Sequence, residues 1–224
     1  MLLAIETSGL LGSVAIFDNQ RLIVERSLQT AGRRHAQTVV AEVDDIFRSF
    51  GFSPSDITSV AVSIGPGSFT GLRVGLVFAK TFAWLNQATL VAVDTLRAIA
   101  QQVPSEIETV TAVVDAQRNE LFAATYRWNS ETGIREAITD IRILTLQDLT
   151  TDCPLVGPGL QKHREALQST HTLLDESIWQ PRASSVAMIG LQMMRQGQTS
   201  VPETLEPVYV RLSYAEEKRS SASM

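Results

Sequence analysis

The 224-residue sequence predicts an α/β protein built on mixed sheets, in two halves that open in the same way. Three observations carry that reading. The chain starts with short strand-like runs joined by tight turns and passes into strand-then-helix units, an order that gives a sheet antiparallel at one edge and parallel beyond it. Residues 58–85, TSVAVSIGPGSFTGLRVGLVFAKTFAWL, place a β-branched run, a glycine loop and a helix in succession. After Pro104 the strand pattern begins again, which sets a boundary at 103/104 and suggests a duplicated architecture.

Residues 2–8 and 12–17 read as strands, and Asp18-Asn19-Gln20 turns the chain into a third at 21–28. Ala36, Val39, Val40, Val43, Ile46, Phe47 and Phe50 then recur at helical spacing and stop near Gly51. Val60, Val62 and Ile64 make the next strand, cut off by Gly65-Pro66-Gly67; Ser68 or Thr70 can cap the helix that follows. That loop allows close approach of the backbone to a phosphate or to another chain. The helix is apolar around most of its circumference, with Arg73 and Lys80 its only charges, so it must be covered on more than one side. Gly71, Gly75, Ala79 and Ala83 form a stripe of small side chains at every fourth position, where a second backbone can come close.

A strand at 90–93 leads to Asp94, the expected cap of a short helix running to about Gln102. In the second half, strands are expected at 109–115, 120–128 and 135–144, a helical turn at 145–149, a short strand at 155–157 and a helix at 160–167. Ser184 or Ser185 is expected to cap a last helix at 186–195, whose Met188, Met193 and Met194 fill core gaps. The domains are therefore 1–103 and 104–215, with an extended stretch around 205–211 and a polar, frayed tail at 216–224.

Composition narrows the function classes. Hydrophobic content of 44% with 19% charged residues is that of a soluble globular protein, and no apolar run nears the roughly 20 residues that span a bilayer. A single cysteine, Cys153, rules out an intramolecular disulfide and suits a cytoplasmic location. The N-terminal run lacks a basic leader and contains Glu6, so it reads as strand rather than export signal. A net charge of −5 argues against strong nucleic-acid binding by this chain alone. Arg33-Arg34-His35, the densest basic cluster, reads as a solvated turn before the first helix.

Few residues carry obvious chemistry. Glu6, Thr7 and Ser8 end the first strand beside Gly9 and Gly12; the hydroxyls either contact a nucleotide phosphate, with Glu6 holding a metal-bound water, or simply close the turn. Asp115, ending the first strand of the second half, either holds a sugar or a metal or satisfies the turn at 116–119. No Walker motif is present, since Leu72 and Arg73 follow Gly71 where a lysine and a hydroxyl are needed. His35, His163 and His171 make no helical pair, Cys153 has no cysteine neighbour, and no zinc-protease or nucleophile-elbow motif occurs, so no metal site is expected.

Taken together, LLAIETS, the Arg34-His35 start of the first helix, GPGSFTGLRVGLVFAK, the VDTL segment, VVDAQRNELFAATY and the late EPVYVR resemble the bacterial TsaB (YeaZ-type) family over nearly the whole chain. The resemblance implies the actin-like, sugar kinase and heat-shock ATPase fold, related to ribonuclease H, as two tandem domains. It also implies a role in forming N6-threonylcarbamoyladenosine at position 37 of tRNAs that read codons beginning with A. Family members act as non-catalytic dimerisation subunits of a TsaD-type catalytic paralogue, with a TsaE-type small ATPase as further partner and tRNA bound only through the complex. They form homodimers when alone, and ATP or ADP is admitted at the joint with the catalytic subunit rather than held tightly by this chain. The catalytic relative carries two histidine metal ligands where this sequence has Thr95 and Ile99, which cannot replace imidazoles.

In the family the first two helices meet their counterparts in the partner. That implies an interface drawn from Val39, Val43, Ile46 and Phe47 on the first helix and Leu72, Gly75, Leu76 and Ala79 on the second. The competing reading is a stand-alone nucleotide-dependent transferase or kinase using Glu6, Thr7, Ser8 and Asp115 around ATP and magnesium. Tight magnesium-dependent ATP binding by the isolated chain would separate the two.

Overall fold

The computed structural model describes residues 1–28 and 35–208, the side chains of 35–37 excepted. Arg33 and Arg34 of the expected turn, the end of the extended stretch at 209–211 and the tail at 216–224 lie outside the described residues, whereas the backbone of His35 opens a helix.

The first sheet holds strands β1 (Leu2–Glu6), β2 (Ser13–Asp18), β3 (Arg21–Ser27), β4 (Ser59–Ser63) and β5 (Thr89–Val93), in the order β3-β2-β1-β4-β5. The meander β1-β2-β3 is antiparallel, whereas β1, β4 and β5 run parallel. Helices cover both faces, which is why β1 and β4 are buried at every residue and read as apolar runs instead of alternating. Leu3, Ile5, Val60 and Val62 face α1 (His35–Phe50) and α2 (Phe69–Asn86). Leu2, Ala4, Ala61 and Val91 face α5 (Ala183–Arg195), which lies so close that a Cβ on Gly190 would stand 2.7 Å from Ala61 Cβ.

The second sheet runs β10-β6-β7-β8, from β6 (Thr109–Asp115), β7 (Glu120–Asn129), β8 (Ile134–Ala137) and β10 (Leu155–Val156), with β9 (Arg142–Thr145) also paired to β7. Its core joins α3 (Thr95–Ala100) and α4 (Leu160–Leu167) through Leu96, Ile99, Leu160 and Leu167.

Local signals mostly hold. Ser68 caps α2 by accepting the Gly71 N–H, and Asp94 caps α3 by accepting that of Leu96. Two expectations change. The single strand at 135–144 is two strands: β8 pairs with Trp128 and its neighbours, β9 with Leu121 and its neighbours, and between them Thr139 Oγ1 takes the Thr125 N–H. The turn expected at 145–149 is present, closed by the Asp148 N–H on the Thr145 carbonyl at 3.2 Å and by Thr145 Oγ1 donating to Asp148 at 2.6 Å. Neither Ser184 nor Ser185 caps the last helix. It starts at Ala183, and the Glu25 carboxylate on β3 accepts from both the Ser184 N–H and its hydroxyl, a cap supplied from another element.

The two sheets are fastened by a buried cation. Arg135, fully buried on β8, donates from its guanidinium to the carbonyls of Val103, Pro104, Ile107 and Glu108, the stretch that joins the halves. Its backbone takes part too: its N–H donates to Gln101 Oε1 and its carbonyl accepts from Arg97 Nε. Beside this clamp, Tyr126 donates its hydroxyl to Asp94. Burial pushes both the Asp94 carboxyl and the Tyr126 phenol above their ordinary pKa values.

Candidate functional site

The glycine loop and the small-residue stripe have a definite neighbour: their own first strand. A Cβ on Gly67 would lie 2.6 Å from the Ser8 carbonyl oxygen, one on Gly71 2.0 Å from that of Thr7, and one on Gly75 2.2 Å from Thr7 Oγ1. Only glycine allows α2 to run this close to the end of β1. The contact is sealed by hydrogen bonds from the Ser68 N–H to the Ser8 carbonyl at 2.7 Å and from Thr7 Oγ1 to the Gly71 carbonyl at 2.8 Å. Close approach is thus used internally.

Glu6, Thr7 and Ser8 are accordingly buried. Ser8 donates both its N–H and its hydroxyl to Glu6 Oε1. Burial holds the Glu6 carboxyl above the usual carboxylate range, with the hydrogen bonds from Ser8 pulling the other way. The Thr7 hydroxyl is thus engaged with α2 and the Ser8 hydroxyl with Glu6. Asp115 sits in the other sheet, where it accepts the Gln117 N–H at 2.9 Å and stands 4.0 Å from Lys162 Nζ. It satisfies the turn at 116–119, in which Gln117, Arg118 and Asn119 all adopt positive φ. Thr95 and Ile99 are buried in α3, and among the described residues no three His, Cys, Asp or Glu side chains cluster as metal ligands.

The eight residues expected at a partner interface are also inside. Val39, Val43, Ile46, Phe47, Leu72, Leu76 and Ala79 are in the chain's own core, and Gly75 rests on Thr7. The reason is geometrical: small residues mark the side of α2 that hugs the sheet, and Leu72 and Leu76 adjoin that side.

What faces outward is the opposite stripe of the same helix. Val77, Trp84 and Leu85 are 64%, 67% and 66% exposed, and Val40 on α1 is 58% exposed. Between the helices runs a groove of about 470 Å³, lined by Val39 and Val40 from α1 and by Arg73, Val74, Val77 and Phe78 from α2. Arg73 folds over the Phe69 ring, 3.9 Å from its centroid. Behind the groove Phe47 meets Phe82 edge-on, centroids 6.2 Å apart, which fixes the two helices against each other. The face is therefore a rigid, apolar surface carried on two packed helices. The sequence held the signal for it: once Gly71, Gly75, Ala79 and Ala83 are assigned to the sheet, positions half a turn away, 73, 77, 81 and 84, must point out.

Two mixed sheets, the first with a β3-β2-β1-β4-β5 order and helices on both faces, define the class as the actin-like, ribonuclease H-like fold. A solved structure titled YeaZ from Pseudomonas aeruginosa superposes with a TM-score of 0.82 at 25% identity, covering 93% of this chain and 99% of that one. The family model for TsaD, tRNA N6-adenosine threonylcarbamoyltransferase, matches residues 29–218. The chain is 32% identical to the tRNA threonylcarbamoyladenosine biosynthesis protein TsaB of Escherichia coli (strain K12), with 97% of each chain covered. It is 25% identical to the protein of the same name from Bacillus subtilis (strain 168), over 97% of this chain and 96% of that one. The chain belongs to the TsaB (YeaZ-type) family.

Proposed function

We propose that this chain is a non-catalytic scaffold subunit in the formation of N6-threonylcarbamoyladenosine at position 37 of tRNAs reading codons that begin with A. It docks a TsaD-type catalytic paralogue through the exposed α1–α2 face. The observation that carries this reading is the outward stripe of Val77, Trp84 and Leu85 beside Val40, four large apolar side chains on one surface. Covering each is worth about 1.5–3 kcal/mol, enough to drive association. The choice of partner is supported by the match of this chain to the threonylcarbamoyltransferase family model over residues 29–218, a span that includes both α1 and α2. A second copy of this chain uses the same face when the paralogue is absent.

A TsaE-type ATPase joins the assembly, and ATP or ADP binds at the joint with the catalytic subunit. The net charge of −5 fits a subunit that meets tRNA only as part of the complex, and the single cysteine fits a reducing cytoplasm. The kinase-like reading has less to stand on, since Glu6, Thr7 and Ser8 are buried and Asp115 lies in the other sheet.

The test uses Val77→Glu and Trp84→Glu, both at solvent-exposed positions. Each is expected to keep the wild-type melting temperature within about 2 °C, since surface changes cost little. Each is also expected to weaken paralogue binding at least about 30-fold by calorimetry, the scale of a hot-spot loss of about 2 kcal/mol. Unchanged affinity in both variants would overturn the proposed docking face.

A further inference from the structure

A buried acid in the first strand has been given no partner of opposite charge. Glu6 is wholly inaccessible, and among the described residues no Lys, Arg or His pairs with it. One oxygen, Oε1, accepts twice from Ser8. The other, Oε2, is buried and meets no further donor among the described residues. The register Ile5↔Val62 between β1 and β4 places the next pair, Glu6 and Ser63, side by side on the same face of the sheet. Ser63 Oγ is likewise buried and has no other partner among the described residues.

An ionised carboxylate in this position would be an unpaired buried charge, which costs several kcal/mol in any protein interior. A proton on Oε2 removes the charge and turns the idle oxygen into a donor for the idle hydroxyl. We propose that Glu6 is a neutral carboxylic acid in the folded protein, its Oε2–H donated to Ser63 Oγ, and that this proton ties the ends of β1 and β4 to the Ser8 turn and so to the start of α2. The link to α2 is the Ser8 carbonyl, which accepts from the Ser68 N–H.

Among the described residues, every element packed around Glu6 presents an uncharged group to it. The turn presents Ser8 and Gly9, β2 presents Ser13, β4 presents Ser63, and Ser13 is itself held by the Ala183 N–H of α5. The charged side chains on these and neighbouring elements are engaged elsewhere or exposed. Glu25 holds Ser184, Lys80 reaches the Leu205 carbonyl, Asp94 accepts from Tyr126, Arg73 covers Phe69, and Arg182 is exposed. Burial as the dominant influence on the carboxyl agrees with the hydrogen-bond geometry.

The consequence is a pH-dependent fastening. A carboxyl whose pKa is raised by folding contributes stability that is fully present below its unfolded pKa, near 4.5, and is lost as pH rises through the folded value. Replacing it by Gln keeps the shape and the donor but removes the titration. Folding equilibria of wild type and Glu6→Gln should therefore diverge. From about pH 5.5 upward, the wild-type folding constant should fall roughly tenfold per pH unit relative to the variant, until the folded pKa is passed. Chemical denaturation of both proteins between pH 5 and 9 reads this ratio, and all other titrations cancel in it. A ratio independent of pH would overturn the proposal. Should Glu6→Gln not fold, the side-chain carboxyl carbon of Glu6 in ¹³C-labelled wild type provides the reading. It is expected to stay at the acid position at pH 7 while the other glutamates move, and a carboxylate shift for Glu6 at pH 7 would overturn the proposal equally.

Discussion

Gly71→Ala separates two meanings of a small-residue stripe. On an exposed helix the change adds helix propensity worth about 1 kcal/mol, because alanine costs less backbone entropy than glycine. Here the new methyl would lie 2.0 Å from the Thr7 carbonyl oxygen and 3.3 Å from Ser68 Cβ. The first contact is with backbone, so relief requires β1 and α2 to move apart by more than about 1 Å. Such a shift strains the Thr7 hydroxyl's 2.8 Å bond to the Gly71 carbonyl and the 2.7 Å bond from the Ser68 N–H to Ser8. Overpacking costs about 1–3 kcal/mol, and straining the two bonds adds about 1 kcal/mol, against the 1 kcal/mol gained. The net loss is about 1–3 kcal/mol, or a melting temperature lower by roughly 2–12 °C for a chain of this size. Differential scanning calorimetry at a concentration where the chain is monomeric measures it, with Val77→Ala as a surface control. If Gly71→Ala melts at or above the wild-type temperature, the stripe does not pack on the first strand as described and the outward assignment of Val77 and Trp84 fails with it.

Two further outcomes follow from the joint between the sheets. Arg135→Met should destabilise by about 3 kcal/mol in urea denaturation, because the Val103 and Ile107 carbonyls lose the guanidinium donor while those of Pro104 and Glu108 keep only a backbone N–H; Arg135→Lys should recover only part of that, since an ammonium cannot fork to all four. Asp94→Asn keeps one oxygen to accept the Leu96 N–H and turns an amide donor toward the Tyr126 hydroxyl, which can accept, but it cannot ionise. Since burial raises the Asp94 pKa, the wild type loses stability as pH rises from 3.8 through the folded value, so the variant should gain on it over that interval in paired denaturation curves.

The strands and helices were legible wherever a local signal decided them. Ser68 and Asp94 each announced a helix start, and the helix at 160–167 was readable from end to end. The break between β8 and β9 was not, because Arg135 to Leu144 carries no glycine or proline and the interruption is made by the Thr139 side chain taking a ladder donor. Nor was the cap on α5, which comes from Glu25, some 160 positions earlier. Of the two apolar helices, the sequence named residues on the sides that the fold buries. An all-round apolar helix has too little periodic contrast to choose a face, and only the packing of Gly71 and Gly75 on Thr7 resolves it. Arg135 was missed because one buried cation whose two terminal nitrogens are held by backbone carbonyls leaves no pattern in sequence.

The seating of α5 on the first sheet has a consequence for synthesis. Strands β1 to β5 are complete by Val93, yet the helix that shields their second apolar face is not made until Arg195. While the ribosome adds the intervening hundred or so residues, Leu2, Ala4, Ala61 and Val91 have no lasting cover. The amino-terminal half is therefore finished last, and a fragment ending near residue 103 would be born with one side of its sheet bare.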